Sequence, residues 1–210
     1  MNMYFVKTPG ILKRLYGELM WSLETQENCI YLTFDDGPHP ETTPELLSLL
    51  SENQATATFF CTGKQAEEHP ELMKKIIGKG HATGNHGHDH LNGWKTATGK
   101  YVQDVIKANE FIHSPLFRPP YGRITSGQIN RIRKQGYSIV MWDVLAGDFD
   151  ARISKEQCAQ NIIRHSVSGS VVVLHDNPGF IEKCLFALKS TLKHFGNMGY
   201  QFRAIPSELS

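Results

Sequence analysis

The amino-acid sequence predicts an α/β fold built on a mostly parallel sheet, either open or closed into a barrel. From about residue 29 onward, apolar runs of strand length alternate with segments of helical spacing, in six or seven strand-then-helix units. Unusual polar residues follow the ends of five of the predicted strands, the edge at which parallel folds carry their sites. The 210 residues have room for one full-sized core, so a single domain over 1–210 is predicted.

Each strand and helix is predicted from its pattern and from the residues that end it. The first strand covers 29–34 (CIYLTF) and stops before Gly37-Pro38, which cannot continue it. Leu46, Leu47 and Leu50 have helical spacing and predict a helix over 43–52. The same reasoning places further strands at 56–61, 81–85, the residues ending at Arg118, 137–142, 170–174 and 200–204, and further helices at 70–79, 99–112, 125–135, 154–165 and 181–195.

The first 28 residues carry a weaker pattern. Their helical spacing favours a helix packed on the barrel over a membrane anchor, and rests on Ile11, Leu12, Leu15, Tyr16 and Leu19. No apolar run is long enough to cross a membrane, and no signal-like apolar stretch follows the first methionine. A cytoplasmic location is therefore the default expectation, and a chain trimmed of its leader would look the same.

The composition excludes several classes of protein. With 40% hydrophobic and 20% charged residues, the chain has enough apolar material to fold and is not expected to be disordered. A formal net charge of +1 provides no attraction to nucleic acid or to acidic membranes, so we expect no nucleic-acid partner and no stable membrane insertion. The four cysteines form no CxxC pair and are predicted as buried, reduced thiols: Cys29, Cys61, Cys158 and Cys184.

The segment 86–90 (HGHDH) is the strongest metal-ligand pattern in the chain. Histidines four residues apart can both reach one ion from a helical turn or a tight loop, and neutral imidazole suits zinc and its neighbours. Two histidines with one carboxylate would leave coordination positions open for water, as catalysis requires. If His86 and His90 converge, His88 points away and is not predicted as a ligand. A solvated polar loop is the alternative.

The other polar residues at strand ends have structural alternatives as well. Asp35 and Asp36 precede Gly37-Pro38 and could form a turn, although an apolar strand leading into two carboxylates brings charge to the core rim for no structural gain. Arg118, on a stiff Pro-Pro backbone, is suited to hold a carboxylate or is part of a rigid loop. His175 by itself is more typical of a satisfied residue at the rim of the core.

Taken together, these segments resemble the polysaccharide deacetylases of carbohydrate esterase family 4, the nodulation-protein-B homology domain. The resemblance runs from about residue 29 to 204 and preserves the order of five motifs. The matching segments are Thr33 to Pro38 (TFDDGP), His86 with His90, Arg118 to Tyr121 (RPPY), Trp142 to Phe149, and Leu174-His175.

The resemblance implies a distorted, seven-stranded (β/α) barrel of the polysaccharide-deacetylase type. It also implies that Asp36, His86 and His90 bind one divalent metal ion, zinc first and cobalt or nickel as alternatives. A small pocket for the acetyl methyl group would be lined by Trp142 and Leu174.

The remaining roles implied by the resemblance concern the reaction. Asp35 would be the general base, oriented by Arg118. The backbone N–H of Tyr121 would help to stabilise the oxyanion, and His175 would protonate the departing amine. The substrate would be an N-acetylated glycan, and the products acetate and a glucosamine unit.

Two positions depart from the family pattern. Gly87 stands where the family usually has Ser or Thr, whose hydroxyl steadies the metal loop. Leu145 stands where the fourth motif usually has the Asp that tunes the acidic histidine. Asp148 matches the second Asp of that motif and Asp143 lies nearby, so the partner of His175 stays open between them.

Two other functions stay open beside the glycan deacetylase. The first is a related amide hydrolase that acts on a small molecule or on a glycan precursor. The second is a catalytically silent, sugar-binding relative, which only the changes at Gly87 and Leu145 favour. The oligomeric state cannot be predicted from the sequence.

Overall fold

The structure is a computed structural model that describes residues 4–206, in which parallel strands alternate with helices. The strands are β1 (Cys29–Asp35), β2 (Thr58–Cys61), β3 (Ala82–Asn85), β4 (Leu116–Phe117), β5 (Ser138–Ile139), β6 (Val144–Leu145), β7 (Val171–His175) and β8 (Gln201–Phe202). The helices are α1 (Gly10–Leu15), α2 (Thr43–Glu52), α3 (Gly63–Glu68), α4 (Pro70–Gly78), α5 (Thr98–Ile112), α6 (Ser126–Lys134), α7 (Lys155–His165) and α8 (Ile181–Asn197), with 3-10 turns at Gly93–Lys95 and Pro120–Gly122.

Seven strands form one hydrogen-bonded path in the order β5-β4-β3-β2-β1-β7-β6, and β8 pairs with the first residues of β1. Every ladder is parallel, which confirms the predicted seven-stranded barrel. The longest ladder joins β1 to β7 in a register that sets Asp35 beside His175. The parallel register therefore brings the ends of these two strands to one edge of the sheet.

The apolar core lies mainly between the sheet and the helices that follow its strands. Side chains at alternate positions of β1 face these helices, namely Ile30, Leu32 and Phe34, all fully buried. The intervening positions, among them Cys29 and Tyr31, pack inside the curved sheet. All four cysteines are buried and free, as predicted.

The predicted helices and long strands are confirmed with small shifts of their ends, but three features differ. The strand predicted over 137–142 is only Ser138–Ile139, and the chain forms β6 at Val144–Leu145, which was not predicted. The short helix α3 was missed as well. Its signal was Thr62, whose side chain accepts a hydrogen bond from the backbone N–H of Gln65 and caps the helix.

The N-terminal segment fills the gap between the two ends of the strand path. Within the described residues, β5 and β6 do not pair with each other. Met20 instead forms a parallel bridge with Val140, and Lys7 forms an antiparallel bridge with Val144. The backbone N–H of Leu145 donates to the carbonyl of Val6 at 2.8 Å. Backbone pairing of residues before β1 thus completes the wall of the barrel.

The predicted helix at the N-terminus is present as α1, but the prediction that its apolar side chains pack on the barrel is wrong. Ile11 and Leu15 are 68% and 69% exposed, and Tyr16 is also exposed. Only Leu19, beyond the end of the helix, is buried among the five residues of the pattern. Within residues 4–206, no helix is both long and apolar enough to cross a bilayer.

Ion pairs to Asp143 hold the first part of this segment, whereas Leu19 and the residues after it make its apolar contacts. The Asp143 carboxylate is buried and accepts hydrogen bonds from Lys7 Nζ at 2.6 Å, from Lys13 Nζ and from Ser170 Oγ at 2.6 Å. Burial by itself would raise the pKa of Asp143, but the hydrogen bonds from Lys13 and Lys7 outweigh it and lower that pKa. Asp143 therefore ties the N-terminal segment to the strand path.

We expect Asp143→Ala to lower the free energy of unfolding by about 1–3 kcal/mol, because it leaves the buried Ser170 hydroxyl and Lys13 without their acceptor and removes the ion pair of Lys7. Urea denaturation followed by circular dichroism measures the change. Glu182→Ala is the matched control, since it removes an exposed carboxylate from its pair with Lys155 and should leave stability unchanged. Equal effects of the two substitutions would contradict the role given to Asp143.

Candidate active site

The predicted site residues lie together where the strands end. Asp35 is the last residue of β1 and His175 the last residue of β7. His86 directly follows β3, and Arg118 directly follows β4. The parallel sheet therefore gathers residues that are far apart in the chain, as the strand-end pattern predicts.

Asp36, His86 and His90 form a group that could hold a metal ion. Oδ1 of Asp36 lies 3.3 Å from Nε2 of His90 and 3.8 Å from Nε2 of His86, and the three potential ligand atoms lie within 4.8 Å of one another. Among residues 4–206, this is the one such group of three. Asp36 and His90 adopt left-handed φ values of 82° and 52°, an uncommon conformation that is typical of functional sites.

His86 presents an unprotonated Nε2 toward Asp36. Nδ1 of His86 lies 2.8 Å from the carbonyl oxygen of Arg118; since a carbonyl only accepts, Nδ1 carries the proton and Nε2 is free. Burial lowers the pKa of His86 to about 4, which keeps the ring neutral. Nδ1 of His90 lies 3.1 Å from the hydroxyl of Tyr121. Neutral imidazoles oriented through their second nitrogen are what a divalent metal ion requires, so this donor set fits one.

Asp36 is ionised. Burial by itself would raise the pKa of Asp36, but the hydrogen bond with His90 and the charge of His175 outweigh it, and the pKa lies well below its usual range. Its second oxygen, Oδ2, accepts a hydrogen bond of 3.3 Å from Nδ2 of Asn177. Asn177 was not singled out from the sequence, and its position two residues after His175 was the available signal.

Asp104 steadies the loop between the two histidines. Its carboxylate accepts hydrogen bonds from the backbone N–H groups of His88 at 2.9 Å and Asp89 at 3.0 Å. Gly87 has φ +77°, and a Cβ there would lie 2.7 Å from Oδ2 of Asp104. The backbone N–H of Gly87 donates to Oδ1 of Asn85 at 2.8 Å. The side chains of Asp104 and Asn85 thus hold the loop in which Gly87 replaces the hydroxyl-bearing residue of the family pattern.

Sequence reasoning missed Asp104, although a signal was present. It lies in α5 and is 7% exposed, on the same buried face as Tyr101, Val105 and Ala108. A carboxylate at an apolar position of a helix needs a partner, and the partner here is the loop itself. His88, which was not predicted as a ligand, lies outside the group of three, with its ring centroid 5.9 Å from that of Phe111.

Arg118 is fully buried and holds one oxygen of Asp35. Its Nη1 donates to Oδ1 of Asp35 at 2.7 Å and to Oγ1 of Thr33 at 2.6 Å. The other carboxylate oxygen of Asp35 lies 4.0 Å from Nε2 of His86. The remaining donors of Arg118 reach the carbonyl oxygens of Val140 at 3.2 Å and Met141 at 3.0 Å. Arg118 therefore fixes Asp35 with one oxygen toward His86.

His175 is paired with Asp148. Oδ1 of Asp148 lies 2.8 Å from Nδ1 of His175, and Oδ2 accepts the backbone N–H of His175 at 2.8 Å. Burial by itself would lower the pKa of His175, but the Asp148 carboxylate raises it to about 9. Of the two partners left open by the sequence, the structure selects Asp148, because Asp143 is bound to lysines. Leu145 is buried in β6.

Tyr121 lies beside His90, and Trp142 packs against the loop that carries Tyr121. Tyr121 has φ 60°, and its ring contacts that of His90 in a tilted arrangement, with 4.6 Å between the ring centroids. Gly122 follows, and a Cβ there would lie 2.5 Å from the Trp142 ring. The close approach of Gly122 keeps the loop and the indole together. Tyr121 and Trp142, both predicted as site residues, are thus held together by the loop at Pro120–Gly122.

Leu174 does not face the site, so this part of the predicted acetyl pocket is wrong. Alternate residues of a strand face opposite sides of the sheet, and Leu174 packs in the core against the helices with Phe34. Val173 lies two residues before His175, so it shares the face of that histidine and is buried. The sequence analysis expected Leu174 in the pocket, whereas the strand register places Val173 on the face of the site.

Asp176 fastens the loop that follows Asp36. It is fully buried, and its carboxylate accepts hydrogen bonds from the hydroxyl groups of Thr42 and Thr43, the latter at 2.5 Å. Gly37 packs directly on this carboxylate, since a Cβ there would collide with it. Burial raises the pKa of Asp176 to about 6. The loops after β1 and β7 are therefore joined below the site.

Comparisons with known proteins agree with this geometry. The polysaccharide deacetylase family model matches residues 22–140. The chain is 35% identical over 185 residues to a peptidoglycan-N-acetylglucosamine deacetylase of Bacillus cereus, covering 85% of this chain and 67% of that protein. It is 35% identical over 158 residues to a chitooligosaccharide deacetylase of Azorhizobium caulinodans, covering 71% of this chain and 74% of that protein.

The fold is also similar to that of a solved structure. The Bc1960 peptidoglycan N-acetylglucosamine deacetylase superposes with a TM-score of 0.86 and 31% sequence identity, over 95% of this chain and 96% of that one. The predicted resemblance is thereby confirmed by sequence and by fold. This chain belongs to the polysaccharide deacetylase family.

Proposed function

We propose that the protein removes the N-acetyl group from N-acetylglucosamine residues of a glycan and releases acetate. The observation that carries the proposal is the convergence of a metal-ligand group, an oriented carboxylate and a paired histidine at one edge of the sheet. Two relatives, named for the deacetylation of peptidoglycan and of chitooligosaccharide, support the class of substrate.

Asp36, His86 and His90 would hold the metal ion. Two neutral imidazoles and one carboxylate suit zinc, with cobalt or nickel as alternatives. When bound, the ion supplies Lewis-acid chemistry that polarises the amide carbonyl and lowers the pKa of water. Asn177 and Asp104 keep the ligands in place, the first through Asp36 and the second through the loop before His90.

Asp35 acts as the general base in this proposal. Arg118 holds its Oδ1, which leaves Oδ2 near His86 to accept a proton from the attacking water molecule. The buried guanidinium contributes to the reaction by orientation, because it fixes the carboxylate next to the position that the attacking water must occupy.

His175 acts as the general acid. Since its Nδ1 is held by Asp148, Nε2 is the nitrogen that delivers a proton to the departing amine. A pKa of about 9 means that the ring is protonated at neutral pH, before the amine leaves. The backbone N–H of Tyr121 supports the negative charge that develops on the acetyl oxygen, and Val173 with Trp142 surrounds the acetyl methyl group.

The first test is acetate release from N-acetylglucosamine oligomers before and after removal of metal. We expect a chelator to abolish activity and zinc or cobalt to restore it. Asp35→Asn is the control, because it keeps the three metal ligands and should bind metal normally while losing about 10²–10⁴-fold in rate. An unreduced rate in Asp35→Asn would sink the assignment. One metal ion per chain without acetate release from any acetylated substrate would favour the silent relative.

We expect Asp148→Asn to move the alkaline limb of the pH–rate profile to lower pH. The carboxylate of Asp148 raises the pKa of His175, so its loss lowers that pKa and deprotonates the general acid at a lower pH. Rates measured across the neutral and alkaline range show the shift. Asp143→Asn, which alters the other acidic residue near this segment, should leave the limb in place; a matching shift there would contradict the pairing.

We expect Asp104→Ala to weaken metal binding by about 10–100-fold, as loss of a residue that supports metal ligands does. The N–H groups of His88 and Asp89 would lose their acceptor, and the loop before His90 would loosen. Competition with a chromophoric chelator measures the affinity. Asp104→Asn retains one acceptor oxygen, so its metal affinity should fall between those of the wild type and Asp104→Ala. Unchanged affinity in Asp104→Ala would show that Asn85 alone holds the loop.

A further inference from the structure

An exposed indole lies on the loop that carries His90. The side chain of Trp94 is 66% exposed, yet its orientation is fixed. Nε1 donates to the carbonyl oxygen of Ile124 at 3.2 Å, and the backbone N–H donates to Oδ1 of Asn92 at 3.1 Å. Single exposed apolar residues are ordinary, but a hydrogen-bonded, oriented indole is already arranged for binding.

The loop of Trp94 runs beside the loop of Tyr121, outward from the metal ligands. His90 contacts Tyr121, and further along Trp94 contacts Ile124. Between these contacts, a Cβ at Gly93 would collide with the carbonyl oxygen of Arg123. Trp94 is the fourth residue after His90, so their Cα atoms lie within about 14 Å, the reach of a fully extended chain.

A buried glutamine keeps this pair of loops rigid. Gln128 is fully buried, and its Nε2 donates to the carbonyl oxygens of Gly93 at 2.8 Å and Thr96 at 3.1 Å. Its Oε1 accepts the backbone N–H of Thr125 at 2.9 Å. The indole is therefore held in position before any ligand arrives.

Arg123 adds a positive charge to the indole. Its Cζ lies 5.3 Å from the centroid of the Trp94 ring, and within residues 4–206 its side chain makes no salt bridge or hydrogen bond. A planar guanidinium fixed by an aromatic ring presents donors that match a carboxylate in a fork geometry. A neutral sugar offers no such anionic acceptor, so Trp94 and Arg123 together favour a sugar that carries an acidic group.

From these contacts we propose that Trp94 and Arg123 form a sugar-binding subsite next to the catalytic residues. The indole takes the apolar face of a pyranose ring, and the guanidinium binds a carboxylate on that sugar. This proposal rests on the proposed function. It specifies the substrate as a glycan in which a carboxylate-bearing sugar lies near the N-acetylglucosamine that is deacetylated.

The test measures kcat and KM for acetate release from two oligomers of equal length. One contains only N-acetylglucosamine, and the other alternates it with N-acetylmuramic acid, which carries a carboxylate. We expect Arg123→Gln to raise KM about tenfold on the acidic oligomer, the effect of losing a hydrogen bond to a charged group, without changing kcat. KM on the neutral oligomer should stay unchanged. Trp94→Ala should raise KM on both.

Arg131→Gln is the matched control, since it removes an exposed arginine from α6 and should alter neither substrate. Equal effects of Arg123→Gln on the two oligomers would overturn the proposal, as would an unchanged KM in Trp94→Ala. If the metal-loaded wild type releases no acetate, the proposed function fails, and the subsite is then judged by calorimetric binding of the same oligomers. A loss of affinity for the acidic oligomer alone in Arg123→Gln supports the subsite; no such loss rejects it.

Discussion

The arrangement of the site depends on one buried positive charge, that of Arg118. A guanidinium with no exposed surface is stable only if its donors are paired, and here they reach a carboxylate, a hydroxyl and two carbonyl oxygens. Its Cζ also lies 4.0 Å from the ring centroid of Phe60. Because the carbonyl oxygen of the same residue accepts a hydrogen bond from Nδ1 of His86, one position fixes both the carboxylate of Asp35 and the tautomer of a proposed metal ligand.

Some of the hydrogen-bond acceptors of Arg118 belong to the wall of the barrel. Two of the acceptors of Arg118 are the carbonyl oxygens of Val140 and Met141, which lie where β5 has ended and the sheet path is interrupted. Met20 pairs with the backbone on both sides of Val140, and so holds these carbonyls in position. The N-terminal segment thus supports the site at a distance, and Asp143 with its two lysines supports that segment in turn.

How far the sequence predicts this structure depends on the range of the interaction concerned. Residues at the ends of long apolar strands, such as Asp35 and His175, could be placed together because parallel strands end at a common edge. Asp104 could not, since its partners are backbone groups of a loop that only the fold brings to α5. Leu174 was misplaced by one residue, and in a strand one residue exchanges the site face for the core face. The two-residue strands β5 and β8 lie within longer predicted strands, whereas β6 was missed, because two residues carry too little pattern to predict.

Two carboxylate–cation pairs with opposite arrangements lie on either side of the proposed metal ligands. In the first, the cation Arg118 is buried and the carboxylate of Asp35 turns its free oxygen to the site. In the second, the carboxylate of Asp148 is buried and the ring of His175 turns its free nitrogen to the site. Each buried partner orients the group with which it is paired, and the Asp148 carboxylate also raises the pKa of His175. The same physical device therefore orients the proposed general base at the end of β1 and the proposed general acid at the end of β7, and the register that sets Asp35 beside His175 brings the two to one edge of the sheet.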